Sequence, residues 1–344
     1  MGNSALLKIE IEDNGRMCAG GRLRGKVLLD VRQGFTSDFL MFHFYGQERV
    51  HISNPVTDSP GDQMLRIVQQ KSKIHSSEIV LHRFENGRVT NGHHVFHFDV
   101  DIPSGLPGSQ SYEKFNEYCG IEYFCTAKLT QTGMFASDVK ESCEVLINDQ
   151  PYETFPMPLV FFMDDGTITF SGKVNTSNSC GNETLRLNYA IRKDSTSCVE
   201  ALEIDLTCHI RFKAATKSCS QKHSVFRKRV EGASIVGFEP LMKITERNSD
   251  FDALLDLVNE GKCGVDIPID DIIRPTYTGV LSSVTYELSL TIKTTLASTN
   301  TAMRFPIKMH RRLGNFAHPP KVDRSYPNFA IKWRICEEQS TSDH

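Results

Sequence analysis

GHHVFHFDVDIPSGLPGSQSYEKFNEYCGIEYFCTAKL, residues 92–129, decides the fold. Val95, His97, Asp99 and Asp101 alternate with His94, Phe96, Phe98, Val100 and Ile102, so the apolar set lies mainly on one face of a strand. Proline removes a ladder donor and glycine permits positive φ, so Ile-Pro-Ser-Gly-Leu-Pro-Gly ends that strand. After this crossover, Ile121, Tyr123, Cys125, Ala127 and Leu129 alternate with Glu122, Thr126 and Lys128. The stretch describes a pair of sandwich strands and carries no evident chemistry.

Working outward, the same period of two recurs. Leu202, Ile204, Leu206, Cys208, Ile210 and Phe212 oppose Glu203, Asp205, Thr207, His209, Arg211 and Lys213. Val284, Tyr286, Leu288, Leu290 and Ile292 oppose Thr285, Glu287, Ser289, Thr291 and Lys293. Such alternation predicts antiparallel strands with one wet face. Residues 39–45 are apolar on both sides and predict a buried central strand. Only residues 250–259 show helical spacing, through Phe251, Leu254, Leu255 and Val258 behind a cap at Ser249. Three prolines in NDQPYETFPMP, residues 148–158, cannot continue a central strand and place a boundary there. The expected organisation is an all-β chain of two immunoglobulin-like antiparallel sandwiches, residues 1–150 and 156–312, followed by a tail, 313–344.

With 344 residues, 39% apolar and 24% charged, the chain is an ordinary folding sequence long enough for two cores. A net charge of −3 offers no field for nucleic acid, which is excluded as a partner class. No basic leader followed by an apolar core opens the sequence, and the longest apolar run, 157–163, is far short of a membrane span. None of the 10 cysteines is spaced Cys-x-x-Cys, so reduced core thiols in a cytoplasmic setting are expected, with the sequons at Asn175 and Asn182 unused.

Residue order then points to a family. Ala19-Gly-Gly-Arg-Leu-Arg-Gly-Lys-Val27 is similar to a Pro-Gly-x-x-Val-x-Gly-x-Val turn. The 92–129 stretch is similar to a His-x-Phe-x-Phe, Leu-Pro-x-Gly-Leu-Pro and Tyr-x-Val-x-Ala-x-Leu run. Ile267-Pro268, Pro275-Thr276, Val284-Thr-Tyr-Glu-Leu and Phe305-Pro-Ile307 follow in order. Over roughly residues 5–311 the chain resembles the arrestins, closest to the α-arrestin (arrestin domain-containing) branch. The resemblance implies two sandwiches joined by a hinge. It also implies a non-enzymatic cytoplasmic adaptor, peripheral at the plasma membrane or endosomes, that links membrane-protein cytoplasmic tails to endocytic sorting or ubiquitination machinery. One departure concerns the ligase motif of many α-arrestins: Pro319-Pro320-Lys321-Val322 has valine where Pro-Pro-x-Tyr requires the aromatic. A constitutive trafficking-coat subunit of retromer type is the alternative, and an enzyme with a dispersed site a third.

Candidate chemistry is sparse. Gly20-x4-Gly25-Lys26 lacks the Ser or Thr of a phosphate-binding loop and reads into a strand. His93, His94 and His97 lack a further ligand and read as exposed strand residues. No cofactor or metal is expected. Three surfaces remain. Lys222, Arg227, Lys228 and Arg229, with Lys308, Arg311 and Arg312, form basic clusters suited to phosphoinositides or phosphorylated tails. Met64, Leu65, Ile67 and Val68 form an apolar island in a long polar insertion, 54–77, read either as a loop reaching cargo or as a hairpin. Phe329, Ile331, Trp333 and Ile335 alternate in the tail as a lone strand seeking an edge to dock on.

Overall fold

Alternating burial organises the computed structural model, which describes residues 5–59, 62–130, 138–148, 158–164, 168–193, 199–232, 256, 258–261, 263–270, 273–294 and 301–310. The first eleven strands are β1 (Ala5–Ile11), β2 (Arg16–Cys18), β3 (Arg22–Val31), β4 (Phe35–Thr36), β5 (Phe39–Ser59), β6 (Asp62–Arg83), β7 (Arg88–Val89), β8 (Gly92–Asp101), β9 (Gln110–Lys114), β10 (Glu117–Leu129) and β11 (Val139–Asn148). The remaining ten are β12 (Leu159–Asp164), β13 (Ile168–Val174), β14 (Asn178–Cys180), β15 (Thr184–Lys193), β16 (Val199–Ala214), β17 (Lys217–Glu231), β18 (Gly264–Pro268), β19 (Tyr277–Thr278), β20 (Ser282–Thr294) and β21 (Thr301–His310). The expected boundary at 148–158 falls mostly on residues 149–157, outside the described ones. Of the expected helix, Asp256 and Val258 to Glu260 are helical and the rest lies outside them.

The strands build two sandwiches with the same plan. In the first, a three-stranded sheet β1-β3-β8 faces a sheet ordered β2-β11-β10-β5-β6, with β9 added on β10. In the second, β12-β13-β15-β18 faces β14-β21-β20-β16-β17, with β19 added on β20. Both long sheets are antiparallel except at one seam, where β2 lies parallel to β11 and β14 parallel to β21. The expected all-β sandwich architecture is therefore the observed one.

β5 differs from its expected reading. Leu40, Phe42 and Phe44 are buried, whereas His43 and Tyr45 are half-buried on the other face, so the strand has one core face and not two. Its core face serves two cores in succession. Leu40, Phe42 and Phe44 belong to the first core with Ile121, Tyr123 and Leu129. Val50 and Ile52, together with Tyr112 and Cys119, belong to the second core with Phe212, Tyr286 and Leu288.

A close approach sets the first core. The fully buried Tyr123 ring lies on Gly46, its cross-strand partner, and its hydroxyl donates to the Pro107 carbonyl at 2.7 Å. A methyl at position 46 would overlap that ring. The second sandwich repeats the device with Phe161 over Gly172. Gly46→Ala is expected to destabilise the protein by ~1–3 kcal/mol through overpacking, read as a lowered urea midpoint at unchanged m-value.

Candidate functional site

Where β5 passes from one core to the other, its core-facing position is a carboxylate. Glu48 is 1% exposed and lies between Gly46 and Val50 on the buried face. Its partners come from the turn between β19 and β20. Oε2 accepts from the Val280 and Leu281 amides at 3.1 and 2.9 Å. Oε1 accepts from the Ser282 amide and hydroxyl, both at 2.6 Å. Three successive N–H groups form a cradle for the anion, as backbone amides do at nests. The turn is closed by the Gly279 amide donating to the Ser282 carbonyl at 2.8 Å. Gly279 must be glycine, since a Cβ there would overlap the Tyr277 ring and crowd Glu48 Oε1. Burial and then the Glu48 charge push the Tyr277 phenol up to about 12.

A second set of contacts flanks this clasp. Tyr112 packs on Phe212 and His223 with ring centroids 6.2 and 5.7 Å apart, and Arg274 lies over the Tyr112 ring at 5.4 Å. Arg274 Nε donates to the Ser111 carbonyl at 3.4 Å, Cys219 Sγ to Glu117 Oε2 at 3.1 Å, and the Ala215 amide to Gln70 Oε1 at 2.7 Å. The two sandwiches are thus held by an apolar core with a charged pin through it.

On the outer face of the same strands lies a network around Glu122, 8% exposed. Arg49 reaches it with Nη2 at 2.5 Å and Nε at 2.9 Å, Tyr118 donates at 2.6 Å, and Gln47 at 3.0 Å. Burial alone would raise the Glu122 pKa, but these donors outweigh it and hold the carboxyl below its ordinary value. The bidentate arginine geometry fixes the register of β5 against β10.

The expected surfaces are redistributed by the register. Arg227 pairs with Asp205 at 2.6 Å, and Arg229 pairs with Glu200, Glu231 and Glu203 at 2.6, 2.9 and 3.2 Å. Acidic side chains of β16, with Glu231 at the end of β17, therefore cancel that end of the expected basic cluster. His223, next to Lys222, points the other way, onto Tyr112. Lys222 pairs with His209, which pairs with Thr285. Lys308 follows Ile307, the partner of Tyr286, and so lies beside Thr285 in the same row. Lys222 and Lys308 thus share one face, three strand spacings or ~14 Å apart. Arg211 and Lys213, which the sequence reading passed over, lie on that face too, and among the described residues neither they nor Lys222 have an ion-pair partner. Lys228 is exposed; Arg311 and Arg312 lie outside the described residues.

Of the two readings of the insertion at 54–77, loop or hairpin, the backbone follows the hairpin. β5 and β6 continue as a ribbon beyond the end of β10, which reaches only to His51. Ile67 is exposed, whereas Val68 packs against the second core. The side chains of Met64 and Leu65 are outside the described set, as is the tail with Phe329, Ile331, Trp333 and Ile335. A feature that alternation did not reveal is Phe115, 85% exposed at φ +49° in the turn joining β9 to β10. The Lys114-Phe-Asn-Glu117 spacing between two alternating runs is the signal that marks this turn.

Residues 8–149 match the family model described as the arrestin (or S-antigen), N-terminal domain. The match covers the first sandwich, whose all-β fold agrees with it, and leaves the second sandwich outside its bounds. No curated protein matches the chain. No helix among the described residues is long and apolar enough to cross a membrane.

Two outcomes test the site. Glu48→Ala leaves three amides and a hydroxyl without their acceptor, the Leu281 amide in a buried setting, and is expected to cost about 2–3 kcal/mol. Glu48→Gln is expected to be nearly as costly, because its NH2 must face donors. Both are read by urea denaturation, with small-angle scattering showing loosened sandwiches. Because the Glu122 pKa is lower in the folded protein, its contribution is full above the unfolded value of ~4.3 and is lost as pH falls through the folded value. The urea midpoint is expected to drop from pH 5 towards pH 3, with a shallower slope in Glu122→Gln.

Proposed function

We propose that this chain is a non-enzymatic adaptor that links the cytoplasmic tails of membrane receptors or transporters to endocytic sorting or ubiquitination machinery. An arrestin domain supports a trafficking adaptor or scaffold role in general. The observation that carries the finer reading is the Glu48 clasp. It ties the two sandwiches together as a scaffold requires, with Glu48 committed to structural hydrogen bonds. Phe115 and Ile67 stand exposed as apolar contacts for a partner. Arg211, Lys213, Lys222 and Lys308 give one sheet face a positive field, which favours anionic headgroups such as phosphoinositides by about 1 kcal/mol per basic residue near the surface. The protein then works in the cytoplasm, peripheral at the plasma membrane or endosomes. The α-arrestin branch is the subtype we favour. With valine at Val322, ubiquitin ligases would be engaged through a surface other than a Pro-Pro-x-Tyr motif.

Proximity labelling in cells checks this reading, comparing the full chain with Arg211→Glu/Lys213→Glu/Lys222→Glu. Enrichment of receptors, transporters and ligases, reduced about fivefold or more in the variant, is expected. A single fixed set of coat subunits, unaffected by the variant, would overturn it in favour of a constitutive coat subunit.

A further inference from the structure

We propose that Cys125 and Cys143 form a redox-modification site, a dithiol that a hydroperoxide converts into a disulfide between β10 and β11. The two residues are directly opposed in the antiparallel register. Opposed residues in such a ladder have Cα atoms about 4.5–5.5 Å apart, within the 4.4–6.8 Å that disulfides span. Both side chains lie on the core face of the first sandwich, where Cys125 is fully buried and Cys143 half-exposed. β11 has β10 as its sheet partner at this point, since β2 joins it only from Leu146 to Asn148. Cys143 is therefore on the open margin of the sheet, and Cys125 sits behind it.

The two sulfurs already interact. The contact between the two thiols and then burial push Cys125 up, and the same contact lowers Cys143 despite its burial. This divides the roles. The accessible, more acidic Cys143 is the attacking thiol, and the buried Cys125 is the resolving one. The other cysteines on described strands lack this arrangement: Cys18 faces Asn148, Cys180 faces His310, Cys119 faces Val50 and Tyr112, Cys208 faces His223 and Tyr286, and Cys219 faces Phe212. Burial raises the thiols of Cys119, Cys208 and Cys219, that of Cys119 to about 12.

The chemistry balances with hydrogen peroxide as the oxidant. The Cys143 thiolate attacks one peroxide oxygen and the O–O bond breaks. Cys143 becomes a sulfenic acid, and the departing hydroxide takes a proton as water. Cys125 then loses its proton and attacks the Cys143 sulfur; the S–S bond forms, the S–O bond breaks and a second water leaves. Two thiols and one peroxide give one disulfide and two waters. The product staples β11 to the strand that carries Glu122 and pairs with β5.

The test treats the full chain with hydrogen peroxide, alkylates the remaining thiols and maps peptides by mass spectrometry. A crosslink joining the Cys125 and Cys143 peptides, reversed by dithiothreitol, is expected, with Cys143 modified at least tenfold faster than Cys208. Cys125→Ser is expected to leave Cys143 as a sulfenic acid trapped by a dimedone probe, and Cys143→Ser to abolish the crosslink. Crosslinking between other cysteines, or equal oxidation rates at Cys143 and Cys208, would overturn the proposal. Wild-type mapping alone decides this should either variant misfold.

Discussion

The structure turns on one carboxylate held by backbone. Glu48 sits where β5 leaves the first core and enters the second, between Gly46 and Val50 and opposite Ile121 on the core face. A charge there is tolerable only because four donors converge on it, and all four come from a turn more than two hundred residues away in sequence. The cost of an unpaired anion, and of three orphaned amides, makes separation of the sandwiches expensive at a single point. Apolar contacts through Tyr112, Val50 and Ile52 would hold the halves together without this pin. The pin sets their angle, because hydrogen bonds are directional and burial is not.

The other polar features fall into place around that constraint. The Arg49–Glu122–Tyr118 network lies on the opposite face of the same strands and fixes the register by which Glu48 arrives at the cradle. Tyr123 over Gly46 sets the height of β10 against β5 just before it. Pairing of Arg227 and Arg229 with acids spends positive charge on sheet cohesion at one end of β17. The other end, with Lys222, Arg211 and Lys213, keeps its charge for solvent or for a ligand.

Alternation made the strands of residues 92–129, 199–214 and 282–294 legible, because polar and apolar side chains take turns over many pairs even where, as at Glu122, the polar face is covered. It failed where its assumption failed. Residues 54–77 carry no clean alternation, since β5 and β6 run there beyond the end of β10, so the pattern left loop and hairpin open. Residues 39–45 carry His43 and Tyr45 outward, where Phe124 and Ser76 cover them, and so read as buried on both sides. Glu48 was invisible for a different reason. Its partners are amide groups, which every residue has, so no side-chain motif announces the site. The basic clusters were legible as composition, but their charge balance depends on which acids stand across the strand, and that requires a register.

The clasp joins unlike surfaces. β9–β10 and β19–β20 occupy equivalent places in the two sandwiches, yet the first ends in the exposed Phe115 and the second in the amide cradle. In the clasp the first sandwich supplies the plug, Glu48 on β5, and the second the socket. Such head-to-tail complementarity closes within one chain when the connector is long enough to let it. Shorten the connector, and each plug must find the socket of another copy. The same four hydrogen bonds that make a monomer would then thread the chains into domain-swapped assemblies.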